Sequence, residues 1–335
     1  MTTFFSKALL TAAVMALAGG AQAQALKFSA NGKPNDLDAV AMRDWADYIT
    51  ANSDLEVDVF DSASIVEQGK ISQALARGTV DGGLMSPAWM LDQLPKWTIL
   101  ETPYLLSGPE HICAFHESDL WGEIVQDTAD KMGAVYLDTV YQGTRTLNLR
   151  KQKDIRTPAD MAGMSIRVVP SPTNILMGEG LGGNPTPVPF SELYLALQTG
   201  TVDAEENPLT LIYSQKFYEV TEQIVNTRHK VLIQFPAISK RTWDRLSDEQ
   251  KQVVTDGAMK AMDSYGAAVV AQEAELQAKM EAEGLVFTDP DRDAFRNAML
   301  DKFRNSELAA DWEEGMFDRI ATMEIPESCK AMAAN

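Results

Sequence analysis

Arg167 stands inside an otherwise apolar strand pattern, Ile166-Arg167-Val168-Val169-Pro170. A guanidinium held there needs an internal carboxylate or an anionic ligand, because a charge buried without a partner is strongly destabilising. Its planar fork of donors takes a carboxylate through two parallel bonds, and the same donors serve sulfonate oxygens. The chain carries 48 acidic residues, so an internal salt bridge is equally available. The residue alone leaves both readings open.

The segment that positions Arg167 runs from Ser165 to Asn207 and reads as a small α/β unit. It holds a strand at 165–169, a helix at 174–177, a Pro-rich bend, a helix at 191–199 and a strand after Gly200. Its final turn occurs twice. Ala74-Leu75-Ala76-Arg77-Gly78-Thr79-Val80-Asp81 and Ala196-Leu197-Gln198-Thr199-Gly200-Thr201-Val202-Asp203 share the frame Ala-Leu-x-x-Gly-Thr-Val-Asp. Two lobes of one plan imply a cleft between them. The segments after the two turns then face that cleft, which nominates Ser86 and Asn207, each followed by a proline that ends its strand. Lys33, Asn35, Trp89 and Gln142 are further candidates for the far end of the pocket, although no spacing rule converts them into a ligand.

The chain begins with strand, helix, strand: 26–30, a helix with Leu37, Val40, Ala41, Trp45 and Ile49 on one face, and 55–59. Ser64 and Glu67 have capping-box spacing for a helix ending at Gly78. One helix is expected over 109–132 and a strand over 133–137, leading to Arg145 at the crossing between lobes. Thr157-Pro158 opens a short helix that Gly163 ends. His229 to Phe235 reads as the return crossing. Ser247 and Gln250 cap a helix that runs to Gly284, roughly 55 Å at 1.5 Å per residue.

Residues 1–23 combine Lys7, a short apolar run and Ala21-Gln22-Ala23, a secretory leader too short to span a bilayer. Without Lys7 the formal charge moves from −19 to −20, an acidity that disfavours nucleic acid and anionic lipid. The only cysteines, Cys113 and Cys329, lie in a compartment that permits a disulfide between them. Cys113 with His116 is the competing reading, half a metal site with no second pair of ligands.

Two motifs are set aside. Gly178-Glu179-Gly180-Leu181-Gly182-Gly183 fits Gly-x-Gly-x-x-Gly but follows a helix and runs into Asn184-Pro185, so it is read as a helix end and loop. Glu205 and Glu206 are adjacent on a strand and face opposite ways, which argues against a catalytic pair. No Gly-x-Ser-x-Gly elbow, paired metal-ligand motif or Cys/His dyad supports an exported hydrolase or isomerase. The histidines have no motif around them.

The block Ile166-Arg167-Val168-Val169-Pro170, Gly183 to Asp203, Glu206-Asn207-Pro208-Leu209 and Tyr213 to Val220 resembles the DctP family of solute-binding proteins of tripartite ATP-independent periplasmic (TRAP) transporters. The resemblance decides between the two readings of Arg167, since the arginine of this strand contacts the ligand carboxylate in that family. It also implies ligand contacts at Arg145, Asn207, Phe190 and Ser86, an α/β two-lobed periplasmic-binding-protein fold of type II-like plan, hinge strands and a long helix spanning both lobes. Implied too are capture of a small organic acid, small and large membrane permease subunits as partners, a monomer, and neither catalysis nor a cofactor. A ligand-sensing partner of a membrane receptor is a further reading. Expected boundaries are 24–142 with 233–272 for lobe I, 143–232 with 273–325 for lobe II, and a tail at 326–335. One departure is Ala204-Glu205, where many members carry Gly-Gln.

Overall fold

The computed structural model describes residues 25–330, so the leader at 1–23 lies outside the described residues, as does the end of the tail. Ten strands form: β1 (Leu26–Ser29), β2 (Val57–Phe60), β3 (Gly82–Met85), β4 (Ala134–Tyr136), β5 (Val140–Leu149), β6 (Ser165–Val168), β7 (Asn184–Pro187), β8 (Ala204–Pro208), β9 (Gln223–Ser239) and β10 (Val286–Thr288). Their order is β2-β1-β3-β9-β5-β8-β6-β7, with β4 and β10 each joined to β9. Parallel neighbours β1, β2 and β3 belong to one lobe and β6, β7 and β8 to the other. Between them β5 and β9 pair antiparallel from Val140↔Gln234 to Leu149↔Gln223 and run through both.

The lobes have separate cores. Phe28, Trp45, Leu75 and Phe115 belong to the first, and Leu147, Ile166, Phe295 and Phe303 to the second, which has a further cluster around Leu197, Ile212 and Met280. Helix Asp248–Ala282, about 52 Å at 1.5 Å per residue, starts at the Ser247–Gln250 capping box. Near one end Trp45 Nε1 donates to the Val254 carbonyl, and near the other Leu276 and Met280 enter the second lobe. This helix therefore spans both lobes.

The duplicated turn is a duplicated structure. Gly78 and Gly200 sit at φ +69° and +75°, the left-handed conformation that residues with a Cβ adopt at a penalty. Val80 and Val202 are buried beneath the turns. Asp81 accepts from the backbone N–H of Lys27 at 2.8 Å, and Asp203 from that of Ser165 at 2.9 Å. Each aspartate thus ties its turn to the first strand of its own lobe.

Four local expectations are corrected. Ser64 caps nothing: the helix begins at Ile71, because Ser62 and Ala63 take left-handed backbone and donate to Gly32 and Ala30, holding this loop to the first. The single helix over 109–132 is two, Pro109–His116 and Asp119–Lys131, broken at Glu117-Ser118. The Pro-rich bend is the edge strand β7, where missing N–H groups cost no ladder bond on the open side. Met316 and Ile320, assigned to the second lobe by the expected boundaries, pack into the first-lobe core. The segment carrying them folds back, and Cys329 is disulfide-bonded to Cys113 with Cα atoms 5.5 Å apart. The half metal site at Cys113 and His116 is excluded by that bond.

Candidate functional site

Strand alternation places Ile166 and Val168 in the second-lobe core and turns Arg167 to the other face. The Arg167 side chain has 0% exposure, and its Nε donates to the Val188 carbonyl at 2.9 Å. Its Cζ lies 5.8 Å from the centre of the Phe190 ring. Nη1 and Nη2 have no hydrogen-bond partner among the described residues. Burial is the main influence on its pKa and pulls it down to about 10, against the opposing pull of Glu206 and Glu205. The guanidinium stays charged, with its fork unused.

Phe190 lines a narrow interlobe cleft of about 60 Å³, together with Arg145, Asn207, Ser86, Trp89 and Gln142. Two of the further candidates, Lys33 and Asn35, do not line it. Lys33 and Asn35 are exposed, because Lys33 N–H donates to Asp36 Oδ2 at 2.8 Å and the resulting turn directs Asp36 inward instead. Asn35 borders only a neighbouring recess.

Arg145 differs from Arg167 in being neutralised internally. Its Nε and Nη2 both reach the Glu206 carboxylate, the latter at 2.7 Å, and Nη2 also donates to the Glu206 carbonyl at 2.6 Å. Glu206 further meets His229 Nε2 at 3.3 Å. Burial would raise the Glu206 pKa, but Arg145 and His229 outweigh it and hold it down at about 2. Glu205 faces other partners, accepting from Asn148 Nδ2 at 3.0 Å and Asn207 Nδ2 at 2.6 Å. Burial pushes its pKa up to about 7, with Glu206 adding to the rise. Both carboxylates thus hold protein donors, as their opposite facing on β8 required.

Sequence reasoning missed Glu101, Lys230, Asp36 and Asp38, all of which line the cleft. Lys230 and Glu101 form a buried ion pair, and Ser86 Oγ lies 3.4 Å from the other Glu101 oxygen. Between Arg145↔Lys230 and Leu147↔Val225 the β5–β9 register shifts, with Arg228 left-handed at φ +43°. This bulge turns His229 toward Glu206 while Lys230 reaches Glu101. Lys230, a cation heading the apolar run Val231-Leu232-Ile233, carried the same signal as Arg167.

A larger recess of about 620 Å³ lies beside the hinge, bordered by Arg228, Glu273 and Arg292. Glu273 there accepts from Tyr141 Oη at 2.6 Å and Thr144 N–H at 2.9 Å. No unpartnered buried side-chain atom among the described residues borders it.

Residues 28–308 match the family model DctP, described as bacterial extracellular solute-binding protein, family 7. The sialic acid-binding periplasmic protein of Vibrio cholerae is 31% identical over 295 residues, 87% of this chain and 91% of that protein. A TRAP periplasmic solute-binding protein of Roseobacter denitrificans, crystallised with 3-deoxy-D-manno-oct-2-ulosonic acid, superposes with a TM-score of 0.86 at 33% identity, covering 90% of this chain and 99% of that one. A second from the same organism, with bound L-galactonate, gives 0.80 at 26% identity, covering 89% and 98%. The chain belongs to the DctP family of bacterial extracellular solute-binding proteins, the periplasmic solute-binding components of TRAP transporters.

Proposed function

We propose that this chain captures a small hydroxylated organic acid between its lobes, seats the carboxylate on Arg167, and presents the ligand to the membrane subunits of a TRAP transporter. The observation that carries the reading is the fully buried guanidinium with Nη1 and Nη2 unpartnered, since a carboxylate is the partner whose geometry fits the fork. The acids named with the relatives, sialic acid, L-galactonate and 3-deoxy-D-manno-oct-2-ulosonic acid, support a sugar acid. In this reading residues 1–23 direct export, the protein acts as a monomer, Phe190, Asn207 and Ser86 contact ligand, and the ligand leaves chemically unchanged. No described helix is long and apolar enough to cross a membrane.

A thermal-shift panel of organic acids tests it. A ligand at about 100 times its Kd adds about 2.7 kcal/mol of stability, and Arg167→Ala abolishes the shift for every hit. Retained affinity in that variant would overturn the site.

A further inference from the structure

The charges around the cleft are divided by lobe. Among the described residues lining the cleft, the first lobe contributes three carboxylates, Asp36, Asp38 and Glu101, and no cationic side chain. On the second-lobe side and the hinge strands stand Arg145, Lys230 and, behind Phe190, Arg167. Pairing removes most of these charges from the account. Arg145 is neutralised by Glu206 and Lys230 by Glu101. What remains among the described residues is Arg167, behind Phe190 with Nη1 and Nη2 unpartnered, while the first-lobe wall of the cleft bears Asp36 and Asp38.

Those two aspartates are built in place. Asp38 Oδ2 accepts from Gly32 N–H at 2.9 Å, and Asp36 Oδ2 from Lys33 N–H and from Gln215 Nε2 at 2.6 Å. In both, these bonds fall on Oδ2. A Cβ on Gly32 would come within 2.0 Å of Asp38 Oδ1, so residue 32 is a glycine where the aspartate packs against the backbone.

We propose that this cleft selects a monoanion with a hydroxylated tail: Arg167 takes its one carboxylate, the Glu101–Lys230 pair acts as joint acceptor and donor for tail hydroxyls, and Asp36 and Asp38 accept hydroxyls and repel a second carboxylate. The proposal rests on the Arg167 reading above and adds to it a specificity. Glu101 accepts from hydroxyls while Lys230 donates to them, a combination an alkyl tail cannot use. A second carboxylate meets like charge on the first-lobe wall, and the cation on the hinge floor is already committed to Glu101. Rejection by like charge and by acceptors left without donors separates ligands more sharply than added contacts do.

The experiment is calorimetric titration of the whole mature protein with matched acids. These are galactonate, gluconate, mannonate and 3-deoxy-D-manno-oct-2-ulosonate, the aldarates galactarate, glucarate and mannarate, and hexanoate and succinate as acids without hydroxyls. Expected is binding of at least one hydroxylated monoacid, at least 30-fold tighter than its aldarate and than hexanoate or succinate. An aldarate, hexanoate or succinate binding within threefold of the best monoacid overturns the specificity and leaves anion capture standing. Binding of none of these acids overturns both. Glu101→Gln is expected to weaken the best monoacid about tenfold and to narrow its lead over the matched aldarate. The double variant Glu101→Leu/Lys230→Met, which replaces the buried pair with apolar groups of similar size, is expected to lose the same affinity. Unchanged monoacid affinity in the folded double variant removes the pair from the site.

Discussion

Arg167 lies with its Cζ 5.8 Å from the centre of the Phe190 ring, and among the described residues only the Val188 carbonyl, through Nε, hydrogen-bonds the guanidinium. The π face stabilises the cation modestly, well short of the hydration the charge has lost. Arg145, also buried and on hinge strand β5, separated from β6 by β8, has Glu206 as counter-ion. Among the described residues Arg167 has no ion-pair partner, so the second lobe holds a defect, a buried charge left uncompensated.

That defect has a measurable signature in stability. Arg167→Met removes an uncompensated buried charge and loses one hydrogen bond to Val188. Removing the charge outweighs the lost bond, and the ligand-free protein is expected to gain on the order of 1–2 kcal/mol. Ligand binding is lost in the same variant. Urea denaturation of both proteins without ligand checks this, and a destabilised Arg167→Met would mean that the charge is already compensated. Arg167→Lys keeps the charge but not the fork, and a loss of at least tenfold in affinity is expected.

Much of this was visible in the amino-acid order, and the failures have physical causes. Val80-Asp81 and Val202-Asp203 announced two equivalent lobes because burial of the valine and a backbone bond by the aspartate are local requirements. Arg167 was conspicuous because it interrupts a strand. Lys230 interrupts one too, but its importance came from Glu101, 129 residues away, and no local pattern joins the two. Ser64 and Glu67 have capping-box spacing, yet the backbone bonds from Ser62 and Ala63 to the first loop prevail. Met316 and Ile320 have a periodicity that fits either core, and the return of the chain to the first lobe decides which they enter.

Glu205 is fully buried on β8, and that burial makes it pH-sensitive. Its folded pKa of about 7 lies above the ordinary carboxylate value, so the folded state holds a proton that the unfolded chain has released. The contribution to stability is therefore full below the unfolded value of 4.5 and declines as pH rises toward about 7, the opposite sign to a salt-bridged acid. A protonated Glu205 also has a place for its hydrogen: Asn148 Oδ1 is buried without a partner, and the amide can turn to accept it. Glu205 is electrostatically coupled to Arg167, so in the proposed complex the carboxylate ionised above pH 7 would repel the bound anion. Affinity for a monoacid is expected to fall several-fold between pH 6 and pH 8, and Glu205→Gln to flatten the profile and raise stability at pH 8. A wild-type profile as flat as that of the variant would contradict this.

The Cys113–Cys329 bond closes a separation of 216 residues. It joins helix Pro109–His116 to helix Glu327–Lys330 and secures the returning segment, which His111 Nε2 also meets at the Ile320 carbonyl, at 2.7 Å. A cross-link over so long a loop acts mainly by restricting the unfolded chain, for about 2–4 kcal/mol. Reduction is expected to lower stability by that amount and to leave ligand affinity within twofold, since neither cysteine lines the cleft. Melting with and without reductant, with alkylation and mass measurement to count thiols, checks both parts.

Gln215 Nε2 donates to Asp36 Oδ2 at 2.6 Å, and the two residues belong to different lobes. Gln215 follows helix Leu209–Ser214 of the second lobe, while Asp36 precedes helix Leu37–Asn52 of the first. A hydrogen bond to a charged acceptor contributes about 1.5–3 kcal/mol, and this one exists only while the lobes are together. Its loss in Gln215→Ala is expected to fall mainly on the closed state, so the ligand leaves faster and Kd rises about tenfold, with the association rate unchanged or slightly higher. Gln215→Glu sets two carboxylates against each other and is expected to exceed the alanine effect. The salt dependence separates the two variants: screening relieves repulsion in the glutamate variant and leaves the alanine variant unaltered. Stopped-flow dissociation at low and high ionic strength reads all of this, and equal dissociation rates in the three proteins would show that the Asp36–Gln215 bond does not hold the cleft shut.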